Sequence, residues 1–262
     1  VHMCGGVPIP VPTYQKDDFA LDVAEIEKRI TPKTRMFVMV SPNNPTGAVT
    51  PPDVIRKIAE LAIKHDILVI ADEIYAKLIY PPHEHLSLAT LPGMKERTIT
   101  LNGFSKTYAM TGWRVGYMAA PADFVEKLTE PRHTLSINTC TVSQFAALAA
   151  LTGPQDEIEA TFCDYAERRD YLMAALSDAG FSYGAPGGAF YIYTNISATG
   201  MKAKPFCENL LRETGVMVFP GDMFGEESSD FIRISYLQPL PVIKEAMCRI
   251  NRFIKAHKGD AA

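Results

Sequence analysis

Residues 98–116 read TITLNGFSKTYAMTGWRVG, and this stretch decides the fold. Its β-branched and apolar lead, Thr98 to Leu101, halts at the turn signal Asn102-Gly103, which predicts a strand running into a loop. The loop then presents Ser105, Lys106 and, eight residues beyond the lysine, Arg114. A single Ser-Lys pair is ordinarily solvated surface, so its meaning comes from two other runs that end in the same way. Met36–Val40 enters Ser41-Pro42-Asn43-Asn44-Pro45-Thr46-Gly47, and Ile67–Ala71 enters Asp72-Glu73-Ile74-Tyr75. If all three are parallel strands of one sheet, their carboxyl ends lie side by side, where open α/β sheets bind ligands. Lys106, Asp72, Tyr75, Asn44 and Arg114 are then expected to face one crevice.

The flanking sequence supports such a sheet. An amphipathic helix is expected over Phe19–Ile30, and Thr50-Pro51-Pro52-Asp53 has the form of a capping box opening a helix that runs to about His65. Strand, helix and strand at this spacing make a βαβ unit, which needs a parallel pair. Val115–Ala120 continues the sheet, Asp123–Thr129 reads as helical, and Ser143–Leu151 reads as an alanine-rich buried helix. Glu157–Ala179 has the length of a connecting helix. Beyond it, strands are expected at Phe190–Tyr193, Val216–Phe219 and Phe231–Ser235, with helices near Pro205–Glu213 and Pro241–His257 on one face. That change of texture suggests residues 1–155 as a large domain and 156–262 as a smaller α+β domain.

Composition excludes several classes. The chain has 262 residues, of which 47% are hydrophobic and 21% charged, and its formal net charge is -4, so it is globular and lacks a basic surface for nucleic acid. Arg252, Lys255, His257 and Lys258 fit the solvated end of a helix. Five scattered cysteines show neither a disulfide framework nor a zinc pattern, which suits a reducing cytosol. His83 and His85 lack a nearby third ligand and are read as part of a solvated loop, so no metal is expected. No apolar run reaches membrane-spanning length, and no partner other than small molecules is indicated.

SPNNPTG (41–47), ADEIY (71–75), NGFSKTYAMTGWRVGY (102–117), GGAFY (187–191) and FIRIS (231–235), in this order and spacing, resemble the fold-type I pyridoxal-phosphate aminotransferases of class I and II. The resemblance runs from Gly5 onward and implies an α/β large domain with a mostly parallel sheet and a smaller α+β domain. It implies pyridoxal 5'-phosphate as cofactor, with Lys106 as the amine that condenses with its aldehyde and later carries a proton to and from the substrate's α-carbon. Asp72 is implied at the ring nitrogen, Tyr75 and Asn44 at the phenolic oxygen, and Ser105 and Arg114 at the phosphate. Arg233, set between Ile232 and Ile234, is implied to take the substrate's α-carboxylate, with Asn44 also near the substrate. One departure is visible: Gly103 stands where many members carry a further serine.

By the same resemblance, Gly5-Gly6-Val7-Pro8 follows an N-terminal third of the protein, so the sequence is expected to be either a fragment or a truncated relative. The 262 residues alone are therefore expected to be poorly soluble and weakly active. The function implied is amino-group transfer between an L-amino acid and a 2-oxo acid by a ping-pong route, in a cytoplasmic homodimer. A β-lyase on the same fold is the alternative within the class, and a non-catalytic aminotransferase-like sensor domain the alternative outside it. Thr134–Glu167 contains no Lys, Arg or His, which favours neutral, aromatic or broad substrates over a second carboxylate.

Overall fold

The computed structural model describes residues 1–257. The chain divides into two compact units, one of Val1–Pro42 with Val49–Pro154, the other of Asn43–Ala48 with the chain from Gln155 onward. In the first unit the order is α1 (Val23–Arg29), β1 (Met36–Val40), α2 (Pro52–Lys64), β2 (Leu68–Asp72), β3 (Thr98–Gly103), β4 (Gly116–Ala119), α3 (Ala122–Ser136) and α4 (Thr141–Thr152). The sheet runs β1-β2-β3-β4, with the first three strands parallel, as expected, and β4 antiparallel to β3.

Register sorts the side chains. Phe37 and Met39 stand beside Val69 and Ala71, while Met36, Val38 and Val40 stand beside Leu68, Ile70 and Asp72 on the opposite face. The first face packs on α2, whose Ile55, Ile58, Ala59, Leu61 and Ala62 are buried against Met39, Val69 and Ala71. Each large aliphatic group fully buried there contributes about 1.5–3 kcal/mol. The second face is open: Val38 is 53% exposed, and Met36 and Met118 are exposed beside it. Asp72 belongs to this open face.

Several local expectations are corrected. Helix α1 is shorter than Phe19–Ile30, because Asp18 and Phe19 have φ of 48° and 57°, outside helical backbone. Asp22 caps it instead, accepting the Ala24 and Glu25 N–H groups. The capping box at Thr50 does not form; Pro51 is the cap residue without a side-chain bond, and the Thr50 N–H donates to Ser41 Oγ at 3.0 Å. Helix α3 extends past Thr129, through Pro131, to Ser136. The alanine-rich helix is not buried as expected: α4 hides Ser143 and Ala147 and exposes Val142, Phe145, Leu148 and Leu151.

The second unit holds α5 (Asp156–Asp178), β5 (Ser182–Tyr183), β6 (Tyr191–Asn195), α6 (Ala203–Thr214), β7 (Phe219–Pro220), β8 (Phe231–Ser235) and α7 (Leu240–His257). Its antiparallel sheet has the order β5-β6-β8-β7. Helices α6 and α7 meet edge to face through Phe206 and Phe253, with centroids 5.5 Å apart. The strand expected at Val216–Phe219 shrinks to Phe219–Pro220. Gly215 closes α6 in left-handed backbone, Met217 faces solvent, and Pro220 brings no N–H to the ladder. His257 is not simply solvated: its Nδ1 bonds the Phe253 carbonyl and its Nε2 lies 3.4 Å from Glu213; Lys258 falls outside the described residues. The five cysteines are free, and burial pushes the Cys207 thiol up to about 12, which leaves it inert. No helix among the described residues is long and apolar enough to cross a membrane.

Candidate active site

At the carboxyl ends of β1, β2 and β3, the first unit gathers Asp72, Tyr75 and Lys106. Asp72 is the last residue of β2, opposite Val40 and Leu101, and is half-buried. Its Oδ1 accepts the Ile74 N–H at 3.1 Å, which turns the chain out of the strand. Three residues on, Tyr75 is buried, and Lys106 Nζ lies 5.8 Å from the centroid of its ring. The lysine's loop is folded by its own apolar residues. Phe104 and Met110 are buried with Ala147, and the Tyr108 and Met110 N–H groups both bond the Phe104 carbonyl. Lys106 is thereby held on a loop with a packed core.

Ser105 and Arg114 are placed by the β3–β4 ladder. Gly103 stands opposite Gly116, so Ser105, two residues after one glycine, and Arg114, two before the other, flank the same end of the pair. Arg114 has left-handed backbone, its Nη1 donates to the Thr111 carbonyl at 3.0 Å, and it is exposed. The glycine in place of serine has a steric reason: a Cβ on Gly103 would lie 2.9 Å from the Gly116 Cα and 3.3 Å from the Val115 carbonyl oxygen. Gly103→Ser is therefore expected to destabilise the protein by about 1–3 kcal/mol, as overpacking against backbone does. Denaturant unfolding checks this; a variant of unchanged stability would show that the two strands separate readily.

His85 is not the solvated loop residue expected. Its Nε2 lies 3.1 Å from Glu73 Oε2, whereas His83 is exposed, and no cluster of metal-ligating side chains occurs among the described residues. Ser87 Oγ donates to the other Glu73 oxygen at 2.8 Å.

The second unit brings Asn44 to Arg233. Asn43–Ala48 is closed on itself by the Asn43 N–H to the Ala48 carbonyl, the Gly47 N–H to the Asn43 carbonyl, and Thr46 Oγ1 to Asn43 Oδ1. Gly47, at φ 74°, accepts the Gly188 N–H, and a Cβ there would stand 2.5 Å from Pro186. Glycine is required by both the backbone and the close approach. On β8, between Tyr193 and Phe219, Arg233 donates from Nη1 to Asn44 Oδ1 at 2.8 Å. Its guanidinium lies 4.6, 4.8 and 4.7 Å from the ring centroids of Tyr191, Phe219 and Phe224. Its Nε is buried and has no hydrogen-bond partner, and no carboxylate among the described residues pairs with it. A part-buried guanidinium whose Nε is buried and unpaired suits an anion, because a buried polar group left unpaired costs about 1–3 kcal/mol. The three rings escaped sequence reading; Tyr191 ends the GGAFY motif, but Phe219 and Phe224 carry no pattern.

Known proteins resemble the chain over most of its length. The family model for aminotransferase class I and II matches residues 1–250. An aromatic-amino-acid aminotransferase 2 of Thermococcus litoralis is 42% identical, with 98% of this chain and 67% of that protein covered. An aspartate aminotransferase of Pyrococcus abyssi is 40% identical over the same shares. The crystal structure of an aromatic aminotransferase from Pyrococcus horikoshii superposes with a TM-score of 0.92 at 42% identity, covering 96% of this chain and 68% of that one. The chain spans about two thirds of the length of these relatives, 65% in the case of another Pyrococcus structure. The chain belongs to the class I and II aminotransferase family.

Proposed function

We propose that the chain is the greater part of a pyridoxal-phosphate-dependent aminotransferase that moves an amino group between an L-amino acid and a 2-oxo acid. The observation that carries this is the donor set at the β1–β3 strand ends: a loop-held amine over a buried phenol, with a half-buried carboxylate on the adjoining strand end. Those are the groups the cofactor asks for, and the family match stands behind them. When bound, pyridoxal phosphate supplies an aldehyde for amines and a ring that draws electrons from the substrate's α-carbon.

The chain's own residues then have defined tasks. Lys106 would hold the cofactor through its aldehyde and, as a free amine, would carry a proton from and to the substrate's α-carbon. Asp72 holds a proton on the ring nitrogen, and the Tyr75 hydroxyl donates to the phenolic oxygen. Asn44 spends its Oδ1 on Arg233 and keeps its amide N–H groups for the phenolic oxygen and the substrate. Ser105 and Arg114 hold the phosphate, while Arg233 receives the α-carboxylate on its unspent donors. Residues 1–155 are proposed as the cofactor-binding domain and 156–262 as the small domain. A cytoplasmic homodimer belongs to the same proposal, supported by the free cysteines and the exposed apolar stripe of α4. Neutral, aromatic or broad substrates are favoured by the absence of cations in 134–167.

The reaction class is tested by giving the cofactor-loaded protein an amino acid and 2-oxoglutarate. Glutamate formation is expected; ammonia with pyruvate would mark a β-lyase, and neither product a sensor domain. In the same assay Arg233→Ala is expected to raise KM for amino and oxo acids about 10- to 100-fold, the worth of charge-assisted bonds, while cofactor absorbance is retained. Loss of cofactor with unchanged KM would remove Arg233 from the substrate.

A further inference from the structure

Asp72 and Glu73 are adjacent carboxylates with opposite fates. Successive strand residues point to opposite faces, so Asp72 stands on the open face and Glu73 enters the covered one, where its side chain is only 9% exposed. Both Glu73 oxygens are engaged, Oε1 by Ser87 Oγ at 2.8 Å and Oε2 by His85 Nε2 at 3.1 Å. The peptide group joining the two acids is gripped on both sides as well. The Asp72 carbonyl accepts the Ser41 N–H at 3.2 Å from beyond β1, and the Glu73 N–H donates to the Leu101 carbonyl at 2.9 Å on β3. Downstream, the Ala76 N–H bonds the Glu73 carbonyl and the Leu78 N–H bonds the Tyr75 carbonyl. Glu73 is thus the fixed point between two site residues, Asp72 before it and Tyr75 after it. A carboxylate this far withdrawn from solvent holds its place only while its partners do.

We propose that Glu73, clamped by His85 and Ser87, is a positioning residue that sets the direction of the Asp72 carboxylate and the Tyr75 hydroxyl. It rests on the functional reading above for what those two groups do. Without the clamp, the segment after Asp72 loses its side-chain anchor, and its backbone bonds open more often. Asp72 then samples directions away from the cofactor's ring nitrogen. Sequence reading missed this role because Glu73 sits in the shadow of Asp72, and its partners arrive only 12 and 14 residues later.

The test compares Glu73→Ala, Glu73→Gln, His85→Ala and Ser87→Ala by two readouts. The first is hydrogen exchange of the Ile74 and Ala76 amides in cofactor-free protein. Exchange is expected to quicken about tenfold in Glu73→Ala, equivalent to one lost hydrogen bond, and less in the single-arm variants. The second is pyridoxal phosphate affinity by absorbance titration, together with kcat and KM. Glu73→Ala is expected to bind cofactor about tenfold more weakly and to lose kcat while KM for the amino acid is unchanged. Glu73→Gln, which keeps the shape and one acceptor, recovers most of both. If Glu73→Ala does not fold, His85→Ala and Ser87→Ala are expected to give the same pattern at about three- to fivefold, since each removes one arm. Unchanged exchange overturns the clamp. Faster exchange or a lower melting temperature with wild-type cofactor affinity and kcat overturns the positioning role and leaves Glu73 a stabilising residue. Should the wild-type protein take up no cofactor, the functional reading fails while the exchange readout still decides the clamp.

Discussion

Lys106→Ala is expected to abolish transamination, and borohydride reduction of the cofactor-loaded wild-type protein is expected to leave the pyridoxyl group on the peptide containing Lys106. The amine is partly buried, 5.8 Å from the Tyr75 ring centroid, on a loop locked by Phe104 and Met110. A proton carrier of this kind contributes about 10²–10⁴ to the rate, and covalent capture of the cofactor is lost with it. The apolar packing of that loop should survive, because its buried cluster is built by Phe104, Met110 and Ala147. Lys106→Arg sharpens the test. Arginine keeps the length and the positive charge but cannot be deprotonated to a nucleophile, so it should be as inactive as alanine. Circular dichroism matching wild type with turnover down by at least about a thousandfold is the expected pair of results. A label on another lysine, or an active arginine variant, would reject the assignment.

Much of the strand-end architecture was legible because the parallel strands run apolar on both faces, although one of those faces is open. Met36–Val40 and Leu68–Asp72 are apolar without interruption until a polar residue or proline ends them, and that boundary is where the candidate site begins. What the sequence concealed depended on partners far along the chain. Thr50 looked like a helix cap, yet its N–H is taken by Ser41. The alanine-rich helix read as buried because composition does not say what covers it, and α4 presents Phe145 to solvent at 68% exposure. His85 was judged by its polar neighbours, whereas its environment is set by Glu73. Nothing local announces that Asn43–Ala48 packs with residues beyond 155, or that Phe219 and Phe224 close on Arg233. Periodicity finds elements; it does not find the tertiary contacts that complete a binding group.

The remaining large effect is expected at Asp72, where charge and structure can be separated. Its Oδ1 accepts the Ile74 N–H at 3.1 Å, so an alanine removes both a turn-forming acceptor and a negative charge. Asparagine removes the charge alone, since its carbonyl oxygen can take the same N–H. A lost turn bond is worth about 0.5–1.5 kcal/mol of stability, which Asp72→Ala should show and Asp72→Asn should not. Turnover should respond differently. A fixed carboxylate that keeps a proton on the ring nitrogen acts where charge develops, and removing such a group costs about 10²–10³ in kcat. Asp72→Asn is therefore expected to melt like wild type, retain cofactor on Lys106, and turn over at least about a hundredfold more slowly, with KM little changed. Single-turnover measurement with an amino acid reads this directly. If asparagine supports near wild-type rates while alanine unfolds the protein, the carboxylate is a turn-capping group and the ring nitrogen must be served by another residue.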